Sequence, residues 1–344
     1  MNKIGVWNTA FLGDAVLTLP LLASLKAHFP GAELHFWVRH GLEGLFAGSS
    51  YLDGVHGFAK RGGERSAAAA WRLGRRLSRE GYGLWISAHR SMRSGLVSHW
   101  SSIPERVGYR QPLYNLWCYT HTVDREFGRL EEIERLLKLL GPLGATPVTH
   151  WPELTLPTAA QERAEDIWRE ARGPVLGLHP GSTWPTKRWP ASGFGRVLRL
   201  ALDRGIQVAL FAGPDELPVA REVLVHAGLD PERSHPQVLN LAGKLNLPEL
   251  AACLGRVDCH VSNDSGPMHL AWIQRVPLVA LFGPTTRSLG FTPRGDTTVV
   301  LERDLPCRPC GLHGGRGCPT GTHACLNEIS AAEVWAAAAP LLGL

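Results

Sequence analysis

The sequence predicts an α/β protein with two domains, each built on a buried parallel sheet. Short apolar runs alternate with helix-length segments almost from end to end of the chain, which is the order that crossover helices between parallel strands produce. The runs are continuous in Val, Ile and Leu and show little polar alternation, as expected for strands covered on both faces. At 344 residues the chain is too long for one ordinary domain and suits two.

Apolar runs of four to six residues are the candidate strands. They are Ile4–Trp7, Leu34–Val38, Gly83–Ser87, Val175–His179, Val208–Phe211, Cys259–Ser262 and Pro277–Phe282. Amphipathic segments between the runs predict helices. The predicted helices include Ala67–Arg79, Leu130–Leu140, Val219–Ala227, Pro248–Leu254 and a last helix over Ala331–Leu342.

The alternation breaks from about Gly141 onwards, where proline and glycine interrupt the chain repeatedly. We therefore predict a first domain over residues 1–150, a linker over 151–173 and a second domain over 174–328. Residues 329–344 contain the last helix, and we expect that this helix can pack back on the first domain.

Composition favours a globular protein that stays in the cytoplasm. The apolar fraction is 44% and the charged fraction 19%, which does not indicate disorder. The longest apolar candidate, Ala15–Leu25, is interrupted by Thr18 and Pro20 and is shorter than the roughly 18 residues that a membrane span requires. The amino-terminal residues lack the pattern of a signal peptide.

The net charge of +5 is concentrated in the first half of the chain. Residues 1–150 carry 18 Lys and Arg against 12 Asp and Glu, a balance of +6, whereas residues 151–344 carry 18 against 19, a balance of −1. An excess of this kind suits an acidic partner of the first domain, such as a phosphate, a carboxylate or an anionic membrane surface. Nucleic acid is disfavoured, because the basic residues form no known module and lack interleaved aromatics.

Asp14 is the first candidate for chemistry. It lies in the loop and helix start that follow the strand Ile4–Trp7, and open α/β sheets bind ligands at the carboxyl ends of their strands. A carboxylate there can act as a general base on an acceptor hydroxyl. The alternative is a helix cap that satisfies backbone N–H groups, and the residue pattern alone leaves both roles open.

The segment His179–Pro190 is the second candidate. Ser182 and Thr183 form a polar turn after a strand, and Lys187 supplies a flexible cation that suits a departing diphosphate. The alternative is an ordinary surface loop. Trp189 and its neighbouring tryptophan and prolines argue against that, because they stiffen the segment.

The segment Val261–His269 follows another apolar strand and opens a helix. Backbone N–H groups near Ser265 and Gly266 therefore point outward at a helix N-terminus, where phosphates bind readily. We expect Asp264 to orient the loop and His269 to face the same site. A nucleotide diphosphate is the natural ligand of such a site.

In these segments the sequence resembles glycosyltransferase family 9, the ADP-heptose:lipopolysaccharide heptosyltransferases, and within it the heptosyltransferase II type. The resemblance extends in order over essentially the whole chain. The matching segments are Phe11–Pro20, Pro180–Ser182 with Lys187–Pro190, Asn263–His269, Leu281–Thr285 and the cysteine-containing tail Cys307–Leu326.

The resemblance implies a GT-B fold, in which two facing Rossmann-like domains with parallel sheets bind the acceptor on the first domain and the donor on the second. It implies an inverting, metal-independent transfer of heptose from ADP-L-glycero-D-manno-heptose to the acidic inner core of lipopolysaccharide. Asp14 would be the catalytic base. A transient contact with the cytoplasmic face of the inner membrane follows from a lipid-linked acceptor.

The resemblance also implies roles for individual residues. Leu245 would pack on adenine and Asp215 would reach the ribose. The full donor set is Ser182, Thr183, Lys187, Asp215, Leu245, Asp264, Ser265, Gly266 and His269. Basic residues of the first domain would bind the acceptor, and these are Arg90, Arg93, Arg106 and Arg110. This chain has Ser87 and Ala88 where many relatives have an Asp, which affects the expected acceptor geometry.

The seven cysteines divide into two groups. Three lie in apolar surroundings and are expected to be buried thiols, namely Cys118, Cys253 and Cys259. The other four, in the spacing Cys-x2-Cys-x7-Cys-x6-Cys, are Cys307, Cys310, Cys318 and Cys325. They are compatible with a structural zinc, with His313 or His323 as substitute ligands, with reduced thiols in a packed loop, or with oxidised pairs. The expected reaction requires no metal there.

Two other functions stay open on the residues alone. One is another nucleotide-sugar enzyme of the same fold, either a transferase of a different sugar or an epimerase, although no convincing set of further acid and base residues is present. The other is a non-catalytic protein that binds a nucleotide sugar. The presence of Asp14, Lys187 and the Asp264–His269 segment favours a catalyst.

Overall fold

The computed structural model describes residues 2–344 except Arg61, Gly63, Arg65 and Glu170. The chain divides into two compact units, Met1–Pro157 and Thr158–Leu344. Each unit contains one six-stranded sheet, and all its strand pairs are parallel. The prediction of an α/β protein with two parallel sheets is therefore confirmed.

The first unit has the strand order β3-β2-β1-β4-β5-β6. Its strands are β1 (Lys3–Asn8), β2 (Glu33–Arg39), β3 (Gly54–Phe58), β4 (Leu84–Ser87), β5 (Glu105–Tyr109) and β6 (His121–Val123). Its helices are α1 (Leu12–Leu17), α2 (Leu19–His28), α3 (Glu43–Phe46), α4 (Ala67–Leu77), α5 (Met92–Ser101) and α6 (Glu132–Leu137), with 3-10 turns at Leu113–Trp117 and Lys138–Leu143. The strand order reverses between β1 and β4, so the loops after these two strands flank the point where open sheets bind ligands.

The second unit has the strand order β12-β11-β10-β7-β8-β9. Its strands are β7 (Val175–His179), β8 (Gln207–Leu210), β9 (Val238–Asn240), β10 (Cys259–Asn263), β11 (Leu278–Phe282) and β12 (Thr298–Glu302). Its helices are α7 (Thr158–Trp168), α8 (Ala191–Leu202), α9 (Leu217–His226), α10 (Leu247–Leu254), α11 (Gly266–Ile273), α12 (Ala324–Asn327) and α13 (Ala331–Leu341), with 3-10 turns at Pro185–Lys187, Pro214–Glu216 and Arg287–Leu289. Here the reversal lies between β7 and β10.

All seven predicted strands are confirmed, as β1, β2, β4, β7, β8, β10 and β11. The prediction missed β3, β5, β6, β9 and β12. Four of these five are the edge strands of the two sheets, and β5 lies next to an edge. Edge strands are partly exposed here and carry polar residues, so they do not form the continuous apolar runs that mark a strand buried on both faces.

The predicted linker is not a single connector in the structure. Residues 151–157 group with the first unit, whereas α7 belongs to the second. The helix was missed because it shows only a narrow apolar stripe, in which Ala160, Ala164 and Trp168 are buried at helical spacing.

The carboxyl-terminal helix α13 contributes to the core of the second unit. Its buried residues Val334, Trp335 and Ala338 belong to that hydrophobic core, and its packing on the first domain stays a prediction. The alanine-rich face of α13 allows this close packing, and α8 is among its neighbours.

Among the residues that the structure describes, no helix combines the length and the apolar composition needed to cross a bilayer.

A tryptophan cluster forms the core on one face of the first sheet. The rings of Trp7, Trp37 and Trp85 lie within about 6 Å of one another. Gly5 in β1 leaves room for this cluster, because a Cβ atom there would lie 2.3 Å from Cε3 of Trp85. Trp85 is fully buried and contacts the other two rings. The cluster therefore requires glycine at position 5.

We predict that Gly5→Ala destabilises the first unit by about 1–3 kcal/mol, because the added methyl group overpacks a rigid aromatic core. The measurement is denaturant unfolding followed by tryptophan fluorescence. Gly31→Ala is the matched control, since a Cβ atom at Gly31 meets nothing within 4 Å. Equal stability of the two variants would contradict this account of the core.

Candidate functional site

In the second unit, polar side chains gather at the carboxyl ends of β7, β10 and β11. Lys187 follows β7, and its Nζ lies 2.5 Å from Oδ2 of Asp264, the first residue after β10. Thr285 follows β11 and donates its hydroxyl to the same carboxylate oxygen at 2.5 Å. Segments that are far apart in the sequence therefore meet on one carboxylate, and all three were named in the sequence analysis.

The electrostatics of Asp264 follow from these contacts. Burial acts to raise the pKa of this carboxyl group. The adjacent Lys187 ammonium and the hydrogen bonds from Lys187 and Thr285 outweigh burial, so they hold the pKa of Asp264 below its ordinary value. The site thus contains an ion pair that is largely shielded from water.

Asn263 at the end of β10 fixes the loop that carries Lys187. Its amide nitrogen donates to the carbonyl groups of Pro180 at 2.8 Å and Gly181 at 3.2 Å, and its amide oxygen accepts the Trp189 N–H at 2.9 Å. The Trp189 indole donates in turn to the carbonyl of Ile329 at 2.9 Å. The loop is therefore a built part of the second unit and not a loose surface connector.

Helix α11 begins immediately after these residues. Ser265 precedes its first turn, and Ser265 and Gly266 are only partly buried, so the first N–H groups of the helix lie near the surface. His269 lies about one turn further along and is buried. Burial lowers the pKa of His269 to about 4, so the imidazole is neutral at physiological pH.

The remaining predicted donor residues have different surroundings. Ser182 is buried beside the loop that Asn263 holds, and Thr183 is exposed. Leu245 is half-buried in the loop that follows β9. Asp215 is exposed in the 3-10 turn that follows β8.

Glu216, which the sequence analysis did not select, is the carboxylate that contacts the β7 loop. Its Oε2 lies 3.3 Å from Nε2 of His179 and accepts the Gly213 N–H at 2.9 Å. Burial acts to raise its pKa, but the hydrogen bond and charge of His179 lower the pKa to about 2. A Cβ atom at Gly181 would lie 2.1 Å from Cδ of Glu216, so the glycine permits this approach. The Gly-x-x-Glu spacing of the turn was the available signal.

In the first unit, Asp14 lies at the third position of α1. Its Oδ2 accepts the Phe11 N–H at 3.1 Å, so the capping role considered above is present. Its backbone carbonyl accepts from the Asn8 amide at 3.1 Å and the Thr18 hydroxyl at 2.8 Å. Because the side chain also keeps partial access to solvent, capping and catalysis are compatible at this residue.

The surroundings of Asp14 raise its pKa to about 6. Burial of the carboxyl group is the largest cause, and the charge of Glu132 adds to it. The Phe11 N–H and the Arg125 guanidinium act in the opposite direction. A carboxyl group with a pKa near neutrality is suited to accept a proton during a reaction.

Several cations surround His89, which follows β4 at the other side of the strand reversal. Burial and the charges of Lys60, Arg125, Arg90 and Arg93 lower the pKa of His89 to about 3. This set, which we call the His89 cation cluster, consists of Lys60, Arg90, Arg93 and Arg125. It includes two of the predicted acceptor residues, and it adds two that the sequence analysis missed because they are remote in the chain.

The other two predicted acceptor residues lie elsewhere in the first unit. Arg106 donates to the backbone carbonyl groups of Cys118, at 3.0 Å, and Ile103. Arg110 forms an exposed ion pair with Asp124 at 3.4 Å. The structure therefore does not bring Arg106 or Arg110 into the His89 cation cluster.

The cysteines are all free thiols. Cys118, Cys253 and Cys259 are buried, as predicted, and Cys325 is buried as well. Cys307 and Cys310 are exposed. In the described part of the chain, no three His, Cys, Asp or Glu side chains converge in a way that could hold a metal ion.

The tail loop that carries four of the cysteines is tied to the Lys187 segment. Gly315 exchanges hydrogen bonds with the Thr186 hydroxyl at 2.8 and 3.0 Å. The His323 ring lies 2.7 Å from the Thr186 carbonyl. The loop thus has a structural role beside Lys187.

Comparisons with known proteins agree with this architecture. Among solved structures, the E. coli ADP-heptose lps heptosyltransferase II superposes with a TM-score of 0.79 at 23% identity, covering 99% of this chain and 98% of that one. E. coli heptosyltransferase WaaC, solved with ADP-2-deoxy-2-fluoro heptose, superposes with a TM-score of 0.68 at 20% identity, covering 96% and 97%. These likenesses show that the chain has the GT-B fold of those proteins.

Sequence comparison identifies the family of this chain. Lipopolysaccharide heptosyltransferase 2 of Salmonella typhimurium is 27% identical over 302 residues, which is 85% of this chain and 85% of the relative. The family model described as glycosyltransferase family 9 (heptosyltransferase) matches residues 70–314, well over half of the chain. The chain, with its two parallel sheets and the residues gathered at their strand reversals, therefore belongs to glycosyltransferase family 9.

Proposed function

We propose that this glycosyltransferase transfers a heptose from ADP-L-glycero-D-manno-heptose to the inner core of lipopolysaccharide, with inversion at the anomeric carbon. The observation that carries the proposal is the buried Lys187–Asp264 pair at 2.5 Å beside the start of α11, in a member of a heptosyltransferase family. An ammonium next to outward N–H groups is the arrangement that binds a diphosphate. The names of the relatives, which include ADP-heptose and lipopolysaccharide, support the choice of sugar and acceptor.

On the donor side, the proposal assigns the diphosphate to Lys187, Ser182, Thr183 and the N–H groups near Ser265 and Gly266. Asp264 orients Lys187 and contacts the sugar, and the neutral His269 lies beside the phosphates. Positive charge for the departing ADP comes from the Lys187 ammonium and the helix N-terminus, so the proposal includes no metal.

The nucleoside part of the donor is assigned to residues around β8 and β9. Leu245 packs on the adenine. Asp215 was the sequence-based candidate for the ribose hydroxyls, but it is exposed, and we propose Glu216 for this role. The support is that Glu216 lies directly over Gly181 in the β7 loop.

The reaction is a single displacement. The acceptor oxygen forms a bond to the anomeric carbon while the bond from that carbon to the β-phosphate oxygen breaks. The electron pair of the broken bond leaves with ADP, and the proton of the acceptor hydroxyl passes to Asp14. A pKa of about 6 lets Asp14 be ionised at neutral pH and still hold the proton better than an ordinary aspartate.

On the acceptor side, the proposal assigns the acidic groups of the inner core to the His89 cation cluster. Arg90 and Arg93 were sequence-based candidates, and Lys60 and Arg125 join them because all four act on His89. Arg106 and Arg110 become weaker candidates, since the first holds backbone carbonyls and the second pairs with Asp124.

We also propose that the first unit touches the cytoplasmic face of an anionic membrane, where a lipid-linked acceptor is found. Large apolar side chains are exposed together on the 3-10 turn Leu113–Trp117, with Trp117 82% exposed. The Tyr114 hydroxyl lies 3.5 Å from the Arg90 carbonyl, and the exposed cations Arg90 and Arg110 flank the turn. An apolar tip with a basic rim suits anionic lipid headgroups.

ADP should bind without divalent metal, and Lys187→Ala should weaken its binding at least tenfold, about 1.4 kcal/mol, because the diphosphate loses its cation. Calorimetric titration with ADP, UDP and GDP in the presence of a chelator measures this. Arg199→Ala is the control, since Arg199 forms an exposed pair with Asp203 on the same unit. Preference for UDP or GDP would assign the donor to another sugar nucleotide, and no binding of any of the three would overturn the donor assignment.

Asp14→Asn should lower kcat by about 10²–10⁴-fold, because the variant cannot accept the acceptor proton. Its affinity for ADP should stay within about twofold of wild type, since the donor residues lie in the other unit. The assay follows ADP release with a lipid-free inner-core acceptor, and Asp53→Asn, an exposed aspartate paired with Lys26, is the control. Full turnover by Asp14→Asn would rule out Asp14 as the base and would assign the proton transfer to another residue, whereas no turnover by the wild type would favour a binding function.

Trp117→Gln should reduce binding to vesicles that contain anionic lipid, and wild type should bind neutral vesicles more weakly. Vesicle flotation measures both. Trp71→Gln is the matched control, because Trp71 is 50% exposed on α4. Turnover of a lipid-free acceptor should be unaffected by either change. Equal flotation of the two variants would contradict the membrane contact, and concentration-dependent self-association lost in Trp117→Gln would assign the patch to a second copy of the chain.

A further inference from the structure

Three charged side chains, two of them buried, are joined by ion pairs in the first unit. Arg135 is fully buried, Glu132 is 3% exposed, and Arg125 is 17% exposed. Oε2 of Glu132 accepts from Arg125 at 2.5 Å and from Arg135 at 3.0 Å. One carboxylate oxygen therefore joins two guanidinium groups in the interior of the unit.

The surroundings hold these groups in place. The Arg135 carbonyl accepts the Tyr109 hydroxyl at 3.0 Å. The Phe127 ring lies 4.5 Å from the Arg135 guanidinium and 5.5 Å from that of Arg125. Charged side chains are rarely buried unless they are paired, because desolvation is costly and the pair returns only part of that cost. Apolar residues would stabilise this position as well, so stability alone does not account for the charges.

The position of these three charged side chains indicates that they act on Asp14. Glu132 begins α6, and α6 packs against α1, the helix that carries Asp14. Arg125 comes from the segment after β6, and its charge acts on the same carboxylate. Arg125 also belongs to the His89 cation cluster, so its charge acts on both the proposed base and the proposed acceptor site.

We propose that Glu132 is a positioning residue for the reaction: it holds Arg125 beside Asp14 and, with Arg125, sets the charge that the proposed base experiences. The inference rests on the proposed role of Asp14. The fully buried Arg135 donates to the same oxygen of Glu132 and so helps to hold the Glu132 carboxylate in place. Glu132 does not touch the substrate in this account and acts through Arg125 and Asp14.

The charged and polar groups around Asp14 come from several elements. Glu132 from α6 and burial favour the protonated form, whereas Arg125 and the Phe11 N–H favour the ionised form. Arg39 at the end of β2 and Lys60 after β3 lie 5.6 Å and 5.9 Å from the Phe11 ring. Because Glu132 and Arg125 have opposite signs and contact each other, removal of either one leaves the other uncompensated beside Asp14.

Substitution of the two partners should therefore shift the titration of Asp14 in opposite directions. In Glu132→Gln the Asp14 pKa should fall by about one unit, a tenfold change in proton affinity, because a negative charge is lost and Arg125 is no longer neutralised. In Arg125→Gln it should rise by a similar amount. The acidic limb of the pH profile of kcat/KM should move with it, to lower pH in the first variant and to higher pH in the second.

Two measurements follow the titration of the Asp14 carboxyl group. Carboxyl ¹³C NMR of aspartate-labelled protein, with the Asp14 signal assigned by its loss in Asp14→Asn, gives the pKa without any substrate. The pH profile of kcat/KM gives the same ionisation during turnover. Glu134→Gln is the matched control on the same helix, because Glu134 caps the Glu131 N–H at 2.8 Å. Glu132→Asp keeps the charge and should restore the wild-type titration, and circular dichroism checks that each variant is folded.

The possible outcomes distinguish a failure of the positioning role of Glu132 from a failure of the proposed role of Asp14 as the base. An Asp14 pKa that stays unchanged in both Glu132→Gln and Arg125→Gln overturns the inference, even if activity falls. A variant that only disturbs the structure lowers the rate but does not move the acidic limb of the kcat/KM profile. If Glu132→Gln does not fold, Arg125→Gln and Glu132→Asp decide the matter. A titration that shifts while the kcat/KM limb stays fixed removes Asp14 as the base, and the positioning role with it.

Discussion

The reversal of strand order in each parallel sheet is the constraint on which the candidate site depends. A parallel sheet directs the carboxyl ends of all its strands to one edge, and at the reversal the two following loops leave in opposite directions and open a crevice. In the first unit this point lies between β1 and β4, and it brings Asp14 and the loop of His89 to one edge. In the second unit it lies between β7 and β10, where Lys187 and Asp264 meet. Both sets of residues owe their proximity to topology.

Asp14 and Asp264 show how local surroundings assign different chemistry to the same residue type. Asp264 is paired with an ammonium and a hydroxyl, so its pKa is held below the ordinary value and it serves as a fixed negative charge. Asp14 has burial and a second carboxylate on one side and a guanidinium on the other, and its pKa is raised to about 6. A fixed charge suits orientation of a lysine, whereas a carboxyl group near neutrality suits proton transfer.

Rigid support accompanies both sites. Asn263 ties the Lys187 loop to the end of β10, and Trp189 joins that loop to the core of the second unit. In the first unit, Ser94 accepts the Trp7 indole N–H at 2.9 Å and lies 2.9 Å from the ring of His89. The tryptophan core is therefore linked directly to the cation-lined loop. Such support reduces the freedom of the binding groups before any ligand arrives.

The sequence by itself determined the fold class, the central strands and the segments of the site. Apolar runs identify strands buried on both faces, and a polar or glycine turn after such a strand predicts a ligand-binding loop, as at Asp14, Lys187 and Asp264. Only the tertiary structure decided the edge strands, which are too exposed to have an apolar signature, and the position of α7 and α13 in the second unit. It also decided which charged residues cooperate. Lys60 and Arg125 join Arg90 and Arg93, Glu216 contacts the β7 loop while its neighbour Asp215 is exposed, and Glu132 links two arginines near Asp14. Pairings of this kind depend on which side chains the packed sheets bring within a few ångströms, and spacing along the chain does not carry that information.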